Sequence, residues 1–104
     1  MFVIMIKKNM RKIILIALIF PLLSFGQANK LLRQGLKSTN YNEQIELFTQ
    51  VIELDPNNLD AYFYRGLAKY NVEDYTGASL DLQKLYFINQ MLIRIITEVT
   101  VNLL

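Results

Sequence analysis

The chain has 104 residues, enough for one small domain, and neither cysteine nor histidine, which excludes disulfides, thiolate or imidazole metal sites, a thiol nucleophile and a Ser-His-Asp relay. Its formal charge of +2 is unevenly spread: Lys7, Lys8, Arg11 and Lys12 are four of the 11 basic residues and precede position 27, where no acidic residue occurs, leaving seven basic against nine acidic side chains in the rest. A body of net charge about −2 lacks the basic surface that binding to nucleic-acid phosphates requires.

Behind that basic cluster runs an apolar stretch from Ile13 to Phe20, continued past Pro21 by Leu22, Leu23 and Phe25. This order of charge and hydropathy is that of a secretory signal. Ser24 and Gly26 are small enough for the minus-three and minus-one positions of a cut after Gly26. The expectation is a signal peptide over 1–26 and an exported body over 27–104, periplasmic or extracellular. No cysteine follows the apolar run, so bacterial lipid attachment is chemically closed. The alternative is an uncleaved anchor in the inner membrane, although a spanning helix needs about 20 apolar residues and this core has roughly 13 with a proline inside. Met5 or Met10 as the start leaves this reading unchanged.

In the body the apolar residues recur at helical steps of three and four: Ile45, Phe48, Val51 and Ile52, then Ala78, Leu82, Leu85 and Tyr86. Helices are predicted at about 28–38, 41–54, 59–71, 74–88 and 90–103. Asn40 is suited to cap the second, with Glu43 three residues on to complete a capping box and to favour the positive helix end. Asp55, Pro56, Asn57 and Asn58 form a stop, because proline cannot continue the hydrogen-bond ladder. The third helix carries Ala61, Tyr62, Arg65, Gly66, Ala68 and Lys69, and Glu73 and Asp74 reopen the fourth.

Sliding the body by 34 residues places Tyr41 on Tyr75, Phe48 on Leu82, Val51 on Leu85, Leu54 on Ile88, Asp55 on Asn89, Leu36 on Tyr70 and Ala28 on Tyr62. Leu59 to Asn89 resembles one tetratricopeptide repeat, with Tyr62 as the first large aromatic, Gly66 at the small crossing position, Tyr75 opening the second helix, Ala78 at the next small position and Leu82 as the large apolar residue. The stretch 25–58 is similar in its second half, through Tyr41, Phe48 and the closing Asp55-Pro56-Asn57-Asn58. The resemblance implies an all-α fold of antiparallel helix pairs stacked as a short right-handed α-solenoid, with units at about 25–58 and 59–90. Some positions depart from the pattern. Leu32 stands where the small glycine belongs and Gly35 arrives three residues late, Gln44 replaces an alanine, Leu85 replaces a small residue, and Gln90 replaces the closing proline, so the last helix is free to run on.

A helix pair exposes more apolar surface than it can hide alone, so units gain stability by stacking, at about 25 cal/mol per Å². Two units are few for a solenoid. The tail 91–104 has nine apolar residues in 14, and Leu92, Ile95, Ile96, Val99 and Leu103 share one helical stripe. It reads as a capping helix, or as the truncated end of a longer repeat protein, and as a surface for self-association.

No constellation for catalysis stands out. Glu43 and Glu46 read as a solvated helix face, Asp55, Asn57 and Asp60 lack the glycine and glutamate of a calcium loop, and no glycine-rich phosphate loop occurs. The tyrosines, Tyr41, Tyr62 and Tyr75 above all, read as core. No cofactor is expected. What remains is a groove: the resemblance implies a concave surface lined by the first helix of each unit, projecting Asn29 and Arg33 from the first and Asp60, Phe63, Leu67, Tyr70 and Asn71 from the second. Phe63 and Tyr70 are one helical step of seven apart while Tyr62 and Gly66 occupy the other face, so that helix is apolar all round. They are either peptide anchors or packed beneath a neighbouring helix. The expected function is an exported, non-catalytic module binding a protein or peptide. The alternative is a membrane-held helical subunit of an envelope complex.

Overall fold

The computed structural model describes residues 2–103; the side chains at 2–8 and 15–22, which include Lys7, Lys8 and most of the leader's apolar run, lie outside the described set, as do Met1 and Leu104. Over the described residues the chain forms four helices, α1 (Phe2–Lys37), α2 (Tyr41–Leu54), α3 (Leu59–Asn71) and α4 (Tyr75–Leu103). The connections 38–40, 55–58 and 72–74 are too short for anything but antiparallel neighbours. α1 packs on α2, α2 on α3 and α3 on α4, the order of a short α-solenoid.

The predicted second and third helices match α2 and α3. The other boundaries differ for a local reason. No proline or turn separates the leader from the helix predicted at 28–38, and Gly26 alone costs a helix only about 1 kcal/mol, so both are one helix. Likewise Gln90, unlike proline, keeps its N–H, and the segments predicted at 74–88 and 90–103 are the single helix α4.

Capping explains where the helices begin. The Asn40 side chain accepts from the backbone N–H groups of Asn42 (2.9 Å) and Glu43 (3.2 Å). Glu43 does not return directly to the cap residue as a capping box would. Its Oε2 accepts from the Ser38 hydroxyl (2.8 Å), whose Oγ accepts the Asn40 N–H (3.2 Å), so the serine relays the reciprocal bond. Gln44, where a small residue was expected, donates to the Ser38 carbonyl at 2.7 Å and closes the same turn. Asn58 caps α3 by accepting from Ala61 N–H at 3.0 Å.

Between α3 and α4, Glu73 and Asp74 do not reopen a helix together. Glu73 takes a left-handed conformation (φ 66°), with its N–H bonded to Tyr70 O (3.0 Å) and the Asp74 N–H to Lys69 O (2.9 Å). That pair of bonds is the glycine-favouring C-terminal motif of helices, here built on a glutamate. Asp74 then caps α4 by accepting from Gly77 N–H at 2.9 Å.

Two small residues set the crossings. The late glycine of the first unit, Gly35, is the one that matters: a Cβ there would stand 2.5 Å from Phe48 Cε1, so the ring occupies the space a side chain would need. Gly66 is closely packed to a lesser degree, with a Cβ position 3.3 Å from Asp81 Cβ and 3.5 Å from Ala78 O. Around Ala28, Val51 and Ala61, Leu31, Leu32, Ile52 and Leu54 complete the core, and Phe48 and Ile88 are buried beside it.

On α4 the buried stripe is not the predicted one. Ala78 faces inward as expected, but Asp81 and Ile88 are buried with it, whereas Leu82 and Tyr86 are about half or more exposed. Tyr41 and Tyr75 are also exposed rather than core. Each begins the second helix of its unit, just after the turn, and the Tyr75 ring meets Tyr70 of α3 edge-on at 5.3 Å. Tyr62 and Phe48 do lie in the core, and Pro56 is exposed in the turn that ends α2. The tail does not fold back as a cap: Leu92, Ile95, Ile96, Val99 and Leu103 extend the face that α3 covers on the first half of α4, past the start of α3, and are exposed.

Candidate docking groove

The residues predicted to line a groove fall into two groups. Phe63, Leu67 and Tyr70 of α3 converge with Gly66 and with Ala78 and Leu82 of α4 on an apolar cavity of about 320 Å³. Asn29, Arg33, Asp60 and Asn71 are not part of its wall. Arg33 Nε turns back to Asn29 O (3.4 Å), and Asn71 Nδ2 donates to Leu67 O (2.9 Å), so both side chains are engaged on their own helices. A second, larger hollow of about 670 Å³ adjoins the first, sharing Tyr70, Ala78 and Leu82 and adding Tyr75, Ser79, Gln83, Tyr86 and Phe87. Together they form an apolar trough along α3 and α4 on their open side.

Why is this surface fixed rather than collapsed? Phe63 rests edge-on against Tyr64 (centroids 5.2 Å), and Tyr64 stacks on the buried Phe48 ring (6.0 Å), so the exposed aromatic is braced through α3 onto α2. Beneath the trough, Gly66 lets α3 approach α4 closely enough for Leu82 Cγ to come within 3.9 Å of its Cβ position.

A polar pin holds the same crossing. Asp81, 3% exposed, accepts from Arg65 through Nε–Oδ2 (2.9 Å) and Nη2–Oδ1 (2.6 Å), and lies 3.2 Å from Lys69 Nζ. Arg65 Nη1 also reaches Thr49 Oγ1 on α2 at 3.2 Å, and its guanidinium lies 5.7 Å from the centre of the Tyr62 ring. One arginine thus ties α2, α3 and α4 together, and among the described residues no buried side-chain nitrogen or oxygen lacks a hydrogen-bond partner. A planar fork matched to a carboxylate gives both energy and geometry. The sequence reading passed over this cluster. The available signal was a carboxylate, Asp81, three residues after Ala78 on the apolar stripe, with Arg65 and Lys69 one turn apart on the partner helix.

The walls of the groove are mostly rings and aliphatic groups, with Ser79 and Gln83 among them, and Glu43 is engaged with Ser38 outside it. Among the described residues no group of three His, Cys, Asp or Glu side chains stands together, and no described helix is long and apolar enough to cross a membrane.

Comparison with known proteins bears on the class. No protein-family model matches the chain, and no solved structure does. The small glutamine-rich tetratricopeptide repeat-containing protein beta of Homo sapiens is 38% identical over 61 residues, which cover 56% of this chain and 20% of that protein. The rat and mouse proteins of the same name, from Rattus norvegicus and Mus musculus, are each 39% identical over 56 residues. The chain spans about a fifth of the length of these relatives. With the all-helical stack, this likeness agrees with a tetratricopeptide-type architecture and with a protein-interaction role in general.

Proposed function

We propose that the chain is an exported, non-catalytic interaction module that holds a protein or peptide partner in the trough between α3 and α4. The observation that carries this reading is the convergence of Phe63, Leu67 and Tyr70 on one apolar cavity, each 42% to 61% exposed on a helix that the Arg65–Asp81 pin keeps in place. Rigid exposed aromatics lose little conformational entropy on contact and serve as anchors for apolar side chains of a partner helix.

Export is supported by where the α1 contacts begin. Among the described residues, those of α1 packed into the bundle, Ala28, Leu31, Leu32 and Gly35, follow Gly26, while Leu23 and Phe25 are exposed. A cut after Gly26 therefore sacrifices no described core contact. The membrane-held reading is supported by a different observation, the unbroken run of α1 from the leader into the first unit, which would present the body rigidly at a membrane surface. Sequencing the amino terminus of the protein made in its native host separates the two: a start at Gln27 supports export with cleavage, and a retained leader supports the anchor.

The groove itself is tested with a peptide library displayed on phage and selected on the purified chain. The expected outcome is enrichment of apolar helical peptides whose affinity drops at least tenfold with Phe63→Ala, while the melting temperature shifts little. Equal losses of binding and stability would place Phe63 in the core and remove the groove.

A further inference from the structure

The open trough and an apolar segment of matching length lie on one and the same helix. α4 has 29 residues, about 43 Å, against 13 residues and about 20 Å for α3, so its second half projects beyond the bundle. Along the first half runs the trough wall of Tyr75, Leu82, Tyr86 and Phe87; along the second run Leu92, Ile93, Ile96, Val99 and Val101, all exposed.

We propose that the trough is occupied by the projecting half of α4 from a second copy, in a two-fold antiparallel pair in which each copy covers the other. This rests on the reading of the trough as a docking surface and names its occupant.

Three observations favour a second copy. The first is register. A two-fold axis near Asn89 and Gln90 brings Tyr86 opposite Leu92 and Ile93 of the other copy, Leu82 opposite Ile96 and Thr97, Ser79 opposite Thr100, and Tyr75 opposite Leu103. Tyr75, Leu82 and Tyr86 then each meet a large apolar residue on both sides of the axis, and the short hydroxyl side chains of Ser79 and Thr100 meet each other, as an isologous interface requires. The second is area. Tyr75, Leu82, Tyr86, Phe87, Ile93 and Ile96 are each 49% to 67% exposed. Covering roughly 100 Å² of each, with their flanking neighbours, on both copies totals on the order of 1,500 Å², within the range of specific protein interfaces. The third is polarity. The Thr97 and Thr100 hydroxyls donate to Ile93 O (2.8 Å) and Ile96 O (2.7 Å) of their own helix, and Arg94 is paired with Glu98 at 3.5 Å on the outer flank. The segment can therefore enter an apolar surface without stranding a hydroxyl.

The test uses the full chain, which has no cysteine of its own. Sedimentation equilibrium is expected to show a monomer–dimer equilibrium at micromolar concentration, weakened at least tenfold by Ile93→Glu, with unchanged helicity by circular dichroism because Ile93 is exposed in the single copy. Introducing Ser79→Cys and Thr100→Cys together is expected to give a covalent dimer with a short bismaleimide. Either substitution alone is expected to give none, because like positions would then lie about 31 Å apart. A chain that stays monomeric yet binds a Phe63-dependent peptide overturns the second copy as occupant and leaves the docking surface standing. A monomer that binds no peptide removes both. A dimer insensitive to Ile93→Glu and without the Ser79–Thr100 cross-link is held elsewhere, and a monomer whose binding to anionic lipid vesicles is weakened by Ile93→Glu gives its tail to lipid; each overturns the proposal.

Discussion

Arg65 and Asp81, 16 residues apart and on different helices, meet through two parallel N–H···O bonds of 2.9 and 2.6 Å at the point where α3 crosses α4. The carboxylate is buried, and the arginine side chain is 15% exposed. Removing one charge of such a pair strands the other, at a typical cost of about 3–5 kcal/mol, whereas replacing both with apolar groups of similar size is often neutral. Asp81→Ala is thus expected to unfold most of the domain in urea titrations followed by circular dichroism. The double change Arg65→Met with Asp81→Leu is expected to recover most of the loss, and strictly additive losses would contradict the coupling.

At the α1–α2 crossing, Gly35→Ala places a methyl inside the space of the Phe48 ring. Overpacking of this kind costs about 1–3 kcal/mol. Thermal melts are expected to show that cost in the single variant and a smaller additional penalty when Phe48→Leu is combined with it, because the smaller side chain vacates the site.

Gly66 stands at the corresponding place between α3 and α4, where the floor of the trough is formed by Ala78 and Leu82. Gly66→Leu puts its first side-chain carbon 3.3 Å from Asp81 Cβ and 3.5 Å from Ala78 O, so the bulkier residue parts the helices. Loss of cooperative unfolding and of much of the far-ultraviolet helical signal is expected. Undiminished helicity would count against so close a crossing.

Glu73 offers the opposite kind of change. Its φ of 66° lies where a side chain is strained and glycine is not. Glu73→Gly is expected to raise stability by about 1 kcal/mol, which for a domain of this size is a rise of about 4–8 °C in Tm. A fall in Tm would mean that the carboxylate does something the backbone geometry does not reveal.

Much of the fold follows from short-range pattern. The spans of α2 and α3 are legible because apolar spacing, Asn40, Asn58 and Pro56 act within a turn or two of where they stand. The small crossing residue of the second unit was legible for a related reason: a glycine inside a helix is costly unless something lies against it. In the first unit the repeat pattern marked Gly35 as arriving three residues late, and the contact with Phe48 shows that the displacement carries the crossing with it.

Of the groove, Phe63, Leu67 and Tyr70 were legible as the apolar residues left over once Tyr62 and Gly66 were assigned inward. Their polar companions were not, since Arg33 and Asn71 are turned onto nearby carbonyls, a choice made by local hydrogen bonding after the helix is formed. Asp81 escaped notice because a lone acidic residue on an amphipathic helix normally faces water. Only the three-helix packing supplies Arg65, Lys69 and Thr49 around it.

Periodicity and capping, acting within a turn or two, are enough to specify α2 and α3, and their antiparallel pairing is what the resemblance to a tetratricopeptide repeat implies. Which side of α4 turns inward is settled by distant partners. The inward stripe is the one that places Asp81 against Arg65 and Ile88 in the core, and this leaves Leu82, Tyr86 and the tail uncovered. Burial is a property of the assembled stack, because a side chain is removed from water only by neighbours that the local pattern cannot name.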